Sequence, residues 1–164
     1  MRYVLVLMLL IPMLIAPATL PAYLKVIAHK EVPVKHTGEQ CKASAIYYEA
    51  RGEPIESQRA VLDVIEHRKK QRKLSGCQVV KQRHQFSWFP KHPIKEYNVG
   101  LQKLYKRVKG YPRVLRDENF QFFFHKDMNP QPKWAESMVC KEIGNHRFCR
   151  KRREDEIEES GQHV

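Results

Sequence analysis

CKASAIYYEARGEP, Cys41 to Pro54, is the stretch on which the fold of this chain turns. Ala43, Ile46, Tyr47 and Ala50 recur at helical spacing and Gly52 is a natural C-terminal stop, so the stretch predicts a helix from about Gln40 to Arg51. Its last turn carries one carboxylate, Glu49, among alanines and tyrosines. Apolar surroundings disfavour the charged form of a carboxyl and raise its pKa, so that it holds a proton near neutral pH, as a general acid must. An isolated glutamate is more commonly a solvated charge, here beside Lys42 or Arg51, and spacing alone favours that simpler account.

Downstream, Ser57 reads as the N-cap of a second helix. Its apolar positions are Ala60, Val61, Val64 and Ile65, and the basic run from Arg68 to Lys73 suits its negative C-terminal end. Cys77 to Lys81 is a short apolar turn of helix or extended piece leading into HQFSWF, His84 to Phe89. Ile94, Tyr97, Leu101, Leu104, Tyr105 and Val108 form the core-facing stripe of a third helix, from about Ile94 to Val108. Phe120 to Phe124 has strand composition and runs into His125. Trp134, after a loop from Asn129 to Pro132, reads as a core aromatic anchoring that loop. Residues 151–164 are basic, then acidic, without aromatics, and predict a disordered tail.

The N-terminus stands apart from this domain. Arg2 precedes an uncharged, largely apolar run through Leu24 with Ala16-Pro17-Ala18 resembling a small-residue cleavage site, so residues 1–24 read as an export signal. The run is also long enough for an uncleaved membrane anchor, although Pro12, Pro17 and Pro21 would disturb such a helix. Residues 25–38 follow as a linker and 39–150 as the folded domain, with the protein expected in the periplasm or cell envelope.

Export gives the four cysteines an oxidising compartment. Val139 to Arg150 predicts a hairpin turning on Gly144-Asn145, which sets Ile143 against His146, Glu142 against Arg147 and Cys140 against Cys149. In that register the cysteines occupy a non-hydrogen-bonded pair, where Cα atoms lie about 4.5 Å apart, near the short limit for a disulfide. Cys140–Cys149 is therefore the expected bridge, leaving Cys41 with Cys77. A four-cysteine zinc site competes weakly, because no CxxC spacing is present, and the histidines show no metal-ligand spacing either. No metal or cofactor is expected.

An apolar content of 42% fits a globular domain, and a formal charge of +12 points to an anionic partner. Cell wall, acidic membrane and nucleic acid all qualify, but only the first two are natural for an exported chain. Specific nucleic-acid binding is not expected. Membrane contact is expected only through an uncleaved N-terminal segment, and the domain is expected to be a monomer.

Taken together, CKASAIYYEARGEP, QFSW (Gln85 to Trp88), His125 followed by Trp134, and IGNHRF (Ile143 to Phe148) resemble the SleB-type cell wall hydrolases in order and separation. The chain departs from the usual pattern at Ser57, His67 and Phe123. The resemblance implies an α+β fold, a mostly helical lysozyme-like (lytic-transglycosylase-like) domain with a small β-hairpin, acting on peptidoglycan glycan strands through one essential glutamate, which matches Glu49. Glu53, past the helix stop, is expected to hold Arg51 or a loop. Around that acid, Phe86 and Trp88 are expected to stack on sugar faces, Gln85, Ser87 and Asn145 to bond hydroxyl or acetamido groups, and Tyr47, Tyr48 and His125 to line the cleft. His146, beside the turn, reads as exposed. The competing class is a non-catalytic, basic, disulfide-bonded module that binds an anionic polymer, either cell wall or nucleic acid.

Overall fold

The computed structural model describes residues 35–161; the export segment and most of the linker lie outside the described residues, so those expectations are not addressed by it. Thr37 caps the first helix, its hydroxyl accepting from the Gln40 backbone N–H at 3.1 Å, and α1 spans Gly38–Ala50. It packs against three other helices: α2 (Ile55–Arg72), α3 (Gly76–Val80) and α4 (Val99–Gly110). Small residues make this possible. Ala43, Ser44, Ala45 and Ala50 are buried on different sides of α1, as in a helix enclosed all round rather than one with a single apolar stripe. Cys41, Ala45 and Ala50 join a cluster with Val61, Val64, Ile65, Val79, Val80, Phe86 and Phe148, whereas Ala43 and Ile46 join Leu62, Leu101, Tyr105 and Val108.

Two helix starts differ from the sequence reading. Pro54, not Ser57, stands at the N-cap of α2, since its ring presets the backbone for a helix and its carbonyl accepts from the Gln58 N–H at 3.1 Å. Ser57 falls inside the first turn and is fully buried. For α4, the Asn98 side chain accepts from Leu101 N–H at 3.0 Å and sets the start at Val99, so Ile94 enters the core from a non-helical segment.

The predicted hairpin forms, in the expected register, and gains a strand. β1 (Phe122–His125), β2 (Met138–Ile143) and β3 (His146–Lys151) make an antiparallel sheet in the order β1-β3-β2, with Cys140 opposite Cys149 and Glu142 opposite Arg147. The disulfides are Cys140–Cys149, with Cα atoms 4.1 Å apart, and Cys41–Cys77, which ties α1 to α3. A 3-10 turn, Lys133–Ser137, leads into β2.

The expected disordered tail is instead a helix, α5 (Glu154–Gly161). Its acidic first turn suits a helix N-terminus, and Glu156 takes a bidentate pair of hydrogen bonds from Arg150, with the Arg153 N–H adding a third at 3.2 Å. Charge alone suggested disorder because those pairings span the end of β3 and are not visible as a run.

Gly144, in the β2–β3 turn, has φ of 61°, and a Cβ there would lie 2.7 Å from Glu53 Oε2 and 3.0 Å from Ser57 Cβ. Gly144→Ala therefore meets a left-handed backbone penalty and a collision together, with an expected cost of about 1–3 kcal/mol. A lowered melting temperature checks this, and an unchanged one contradicts it.

Candidate active site

The last turn of α1 delivers Glu49 to a groove of about 1070 Å³. One wall is the turn-rich segment after α3, with Gln85, Phe86, Ser87 and Phe89; the other comprises Phe123, Phe124 and His125 of β1, with Trp134 and His146. Glu49 is the sole carboxylate among the described residues lining it. Its carboxyl makes no hydrogen bond or ion pair with any described residue. Burial pushes its pKa up to about 7, with Arg68 opposing the shift. The group therefore retains a share of its proton up to about neutral pH, because of its surroundings rather than a partner.

Arg68 is the nearby counter-charge. Its side chain is almost fully buried, donates from Nε to the Gln121 carbonyl at 2.7 Å and lies 5.7 Å from the centre of the Phe86 ring. Burial pushes its pKa down to about 10, Arg72 adds to that shift and Glu49 opposes it. Arg68 thus stays cationic and favours the ionised form of Glu49 once the proton has gone. Burial wins in the resting state.

The sheet end of the groove is organised by Glu53. Its carboxylate accepts from the Asn145 backbone N–H and from Asn145 Nδ2, each at 3.0 Å, which pins the β2–β3 turn to the start of α2. Burial raises its pKa, but those two hydrogen bonds together with the neighbouring His146 and His125 outweigh burial and leave the carboxyl below its ordinary value. Beside it, His146 is 4% exposed and its Nδ1 lies 3.3 Å from Ser57 Oγ. Burial pushes the His146 pKa down, Glu53 opposes and His125 adds to the lowering, so the ring is neutral at neutral pH. The His125 and His146 rings meet edge to face at 5.5 Å.

The helix end that carries Glu49 is braced by aromatic stacking. Trp88 is 5% exposed and stacks on Tyr48 at 4.5 Å, and His92 stacks on the Tyr48 ring at 5.4 Å. Burying those rings rigidifies the turn that presents the acid.

A family model described as Cell Wall Hydrolase matches residues 52–149. The chain belongs to the cell wall hydrolase family. Its fold is similar to the catalytic domain of Bacillus cereus SleB, with a TM-score of 0.54 and 26% identity over 73% of this chain and 95% of that one. It is also similar to the catalytic domain of the germination-specific lytic transglycosylase SleB from Bacillus anthracis, with a TM-score of 0.57 and 27% identity over 73% of this chain and all of that one. No curated protein matches. The family match begins at Gly52, just past Glu49, so the case for that acid in this hydrolase rests on geometry.

Of the residues singled out in the sequence, Glu49, Gln85, Phe86, Ser87 and His125 line the groove. Four others do not. Trp88 is spent on Tyr48 and the core, and Phe86, although it lines the groove, is only 2% exposed, so neither offers a free face for a sugar. Tyr48 donates from its hydroxyl to the Pro93 carbonyl, and Tyr47 packs on the α4 side, under Arg51 and Lys95. Asn145 uses its side chain on Glu53.

Trp134 goes the other way. It was read as core, yet it is 39% exposed and lines the hydrolase's groove, packed on Phe122 and Phe124 at 5.7 and 5.5 Å. His146 was read as exposed and is buried; only the β3 register, which turns it inward opposite His125, carries that signal. Arg68 gave no signal of its own within a basic run.

Proposed function

We propose that this cell wall hydrolase cleaves peptidoglycan glycan strands at the bond between muramic acid and glucosamine, as a lytic transglycosylase with Glu49 as both acid and base. The observation that carries the reading is a single buried carboxyl, its pKa raised by burial, in a groove with no second lining acid among the described residues. Two-carboxylate glycosidases place a partner about 5–5.5 Å away for retention or about 6.5–9.5 Å away for inversion. A lone acid needs another nucleophile, and the sugar supplies one.

In the first half of the reaction, Glu49 gives its proton to the glycosidic oxygen as the bond to the muramyl C1 breaks. The electron pair of that bond leaves with the glucosamine hydroxyl, and positive charge develops at C1. In the second half, the Glu49 carboxylate takes the proton from the 6-hydroxyl of the same muramyl unit as that oxygen bonds to C1, giving a 1,6-anhydro sugar and restoring the acid. Arg68 favours the intervening carboxylate. Trp134, with exposed ring surface, is the platform we assign to a sugar face, and Gln85, Ser87 and His125 are assigned to its hydroxyl and acetamido groups.

The similarity to a lytic transglycosylase supports the anhydro product. Mass spectrometry of the sugar ends released from peptidoglycan tests it directly. Anhydromuramyl ends are expected. Reducing muramyl ends would instead make water the nucleophile and the enzyme a muramidase, and binding without release would return the chain to the class of anionic-polymer modules. The family and the two disulfides fit an extracellular or envelope protein. Export through residues 1–24 is part of the proposal and is read by sequencing the N-terminus of the mature protein.

A further inference from the structure

One rim of the groove is charged, and nothing in the glycan backbone of the proposed reaction accounts for it. Lys81, Arg83, His84 and Lys91 all line the groove and are all exposed, and their side chains make no hydrogen bond or ion pair with any described residue. Elsewhere many basic side chains have acidic partners: Lys42 and Lys69 on Glu66, Lys70 on Glu118, Lys109 on Glu39, Arg147 on Glu142. The contrast originates in the sequence. Between Glu66 and Glu96 there is no aspartate or glutamate, so the whole rim is built from a segment with nothing of its own to neutralise it.

The rim is also held in shape. Backbone hydrogen bonds from Lys81 N–H to the Cys77 carbonyl, from Gln85 N–H to the Gln82 carbonyl and from His92 N–H to the Trp88 carbonyl close successive turns, and Phe86 and Trp88 anchor them in the core. His84 adopts a left-handed backbone with φ of 60°, which a non-glycine residue rarely does. Strain of this kind persists where the surrounding structure over-determines it, and it gathers at ligand sites. A backbone already held in place leaves only the side chains to be ordered when those cations pair.

We propose that Lys81, Arg83, His84 and Lys91 form a subsite for the carboxylates of the stem peptides carried by the glycan strand. The proposal rests on the cleavage reading above and extends it to substrate class. A strand lying along the groove projects its peptide substituents past the walls, and the free carboxylates of those peptides are acceptors for guanidinium and ammonium donors. The enzyme then prefers strands with charged stems. Phosphodiester polymers of the wall share the negative charge but are not fixed to the sugar being cleaved, so they lack the register that the rim's position demands.

The test uses sacculi stripped of phosphodiester polymers, with half of the material amidated at its carboxylates. Binding is read by co-sedimentation in the Glu49→Gln protein, so turnover does not enter. Amidation is expected to weaken binding about tenfold, the Lys81→Ala/Arg83→Ala pair to weaken binding to untreated sacculi by a similar factor, and amidation to change binding of the pair variant little. Arg83→Glu is expected to bind untreated sacculi more weakly than Arg83→Ala. Equal binding to both materials, or the same loss by the pair variant on each, overturns the subsite. Absence of released sugar ends from the parent enzyme, with the charge dependence intact, overturns the cleavage reading and leaves the subsite standing.

Discussion

Glu49→Gln is expected to abolish release of soluble fragments from peptidoglycan while the protein still sediments with sacculi. General acid catalysis alone contributes about 10²–10⁴-fold, and here one group acts in both halves of the reaction, so the loss should sit at the upper end of that range. Glutamine keeps the size of the protonated acid and replaces its hydroxyl by an amide NH2 that cannot ionise. Turnover equal to the parent would show that the acid is elsewhere. The parent's rate should also fall about tenfold per unit as pH rises past 7, because Glu49, with its pKa at about 7, loses its proton there.

Stability must move in the linked direction. A carboxyl whose folded pKa is raised from 4.5 to about 7 contributes most below the unfolded value, and that contribution drains away as pH rises through the folded one. The glutamine variant has no charge to acquire. Above neutrality it should therefore be more stable than the parent by about 2 kcal/mol, a figure reduced from the full shift for partial exposure, with the advantage vanishing in mild acid. Melting curves across pH decide this, and an advantage that grows toward acid would contradict the buried-acid account. Few substitutions are expected to destroy activity and raise stability at once. Those that do mark ionisable groups kept buried at the expense of the fold.

Where the decisive information was local, the sequence showed it. The α1 helix, the placing of Glu49 in its last turn and the β2–β3 register follow from spacing and a two-residue turn, all set within one segment. Trp88, His146 and Trp134 were misread for the opposite reason. An aromatic in a loop carries no mark of which side meets solvent: Trp88 is buried because Tyr48, far away in sequence, covers its face, and Trp134 is exposed because β1 occupies the interior beside it. Likewise, Ser57 as an N-cap obeyed a sound local rule and lost to Pro54 and to a tertiary partner, His146. The α5 helix was read as disorder because Arg150 and Asp117, which anchor it with Arg153, lie outside the acidic run.

Asp63 marks the same limit in the core and should be the most costly single truncation in the domain. It lies within the apolar periodicity of α2, between Val61 and Val64, yet its side chain is completely buried. Its Oδ1 accepts from Arg59 Nε at 3.0 Å, one helical turn earlier, and its Oδ2 accepts from the backbone N–H groups of Val114 and Leu115 at 2.9 and 3.1 Å. Arg59 passes the link onward, donating from Nη1 to the Val108 and Lys109 carbonyls at 3.3 and 2.8 Å at the end of α4, where the Val108 carbonyl also accepts from the Tyr111 N–H at 3.2 Å. Two charges thus fasten α2 to the end of α4 and to the chain that leads on to β1, the far wall of the groove.

Asp63→Ala leaves a buried guanidinium without its counter-charge and two enclosed N–H groups without an acceptor, at an expected cost of about 3–5 kcal/mol. For a domain with total stability of about 5–15 kcal/mol, that loss should show as a large drop in the urea midpoint. Asp63→Asn retains an acceptor for part of the network and should lose less. Replacing the pair, Arg59→Met with Asp63→Ala, removes the stranded cation and should recover part of the loss, since much of the single-variant cost is the unpaired charge rather than the bond. If the double variant is as unstable as the sum of the two singles, the pair is not coupled and the two ends of the domain are joined by packing alone.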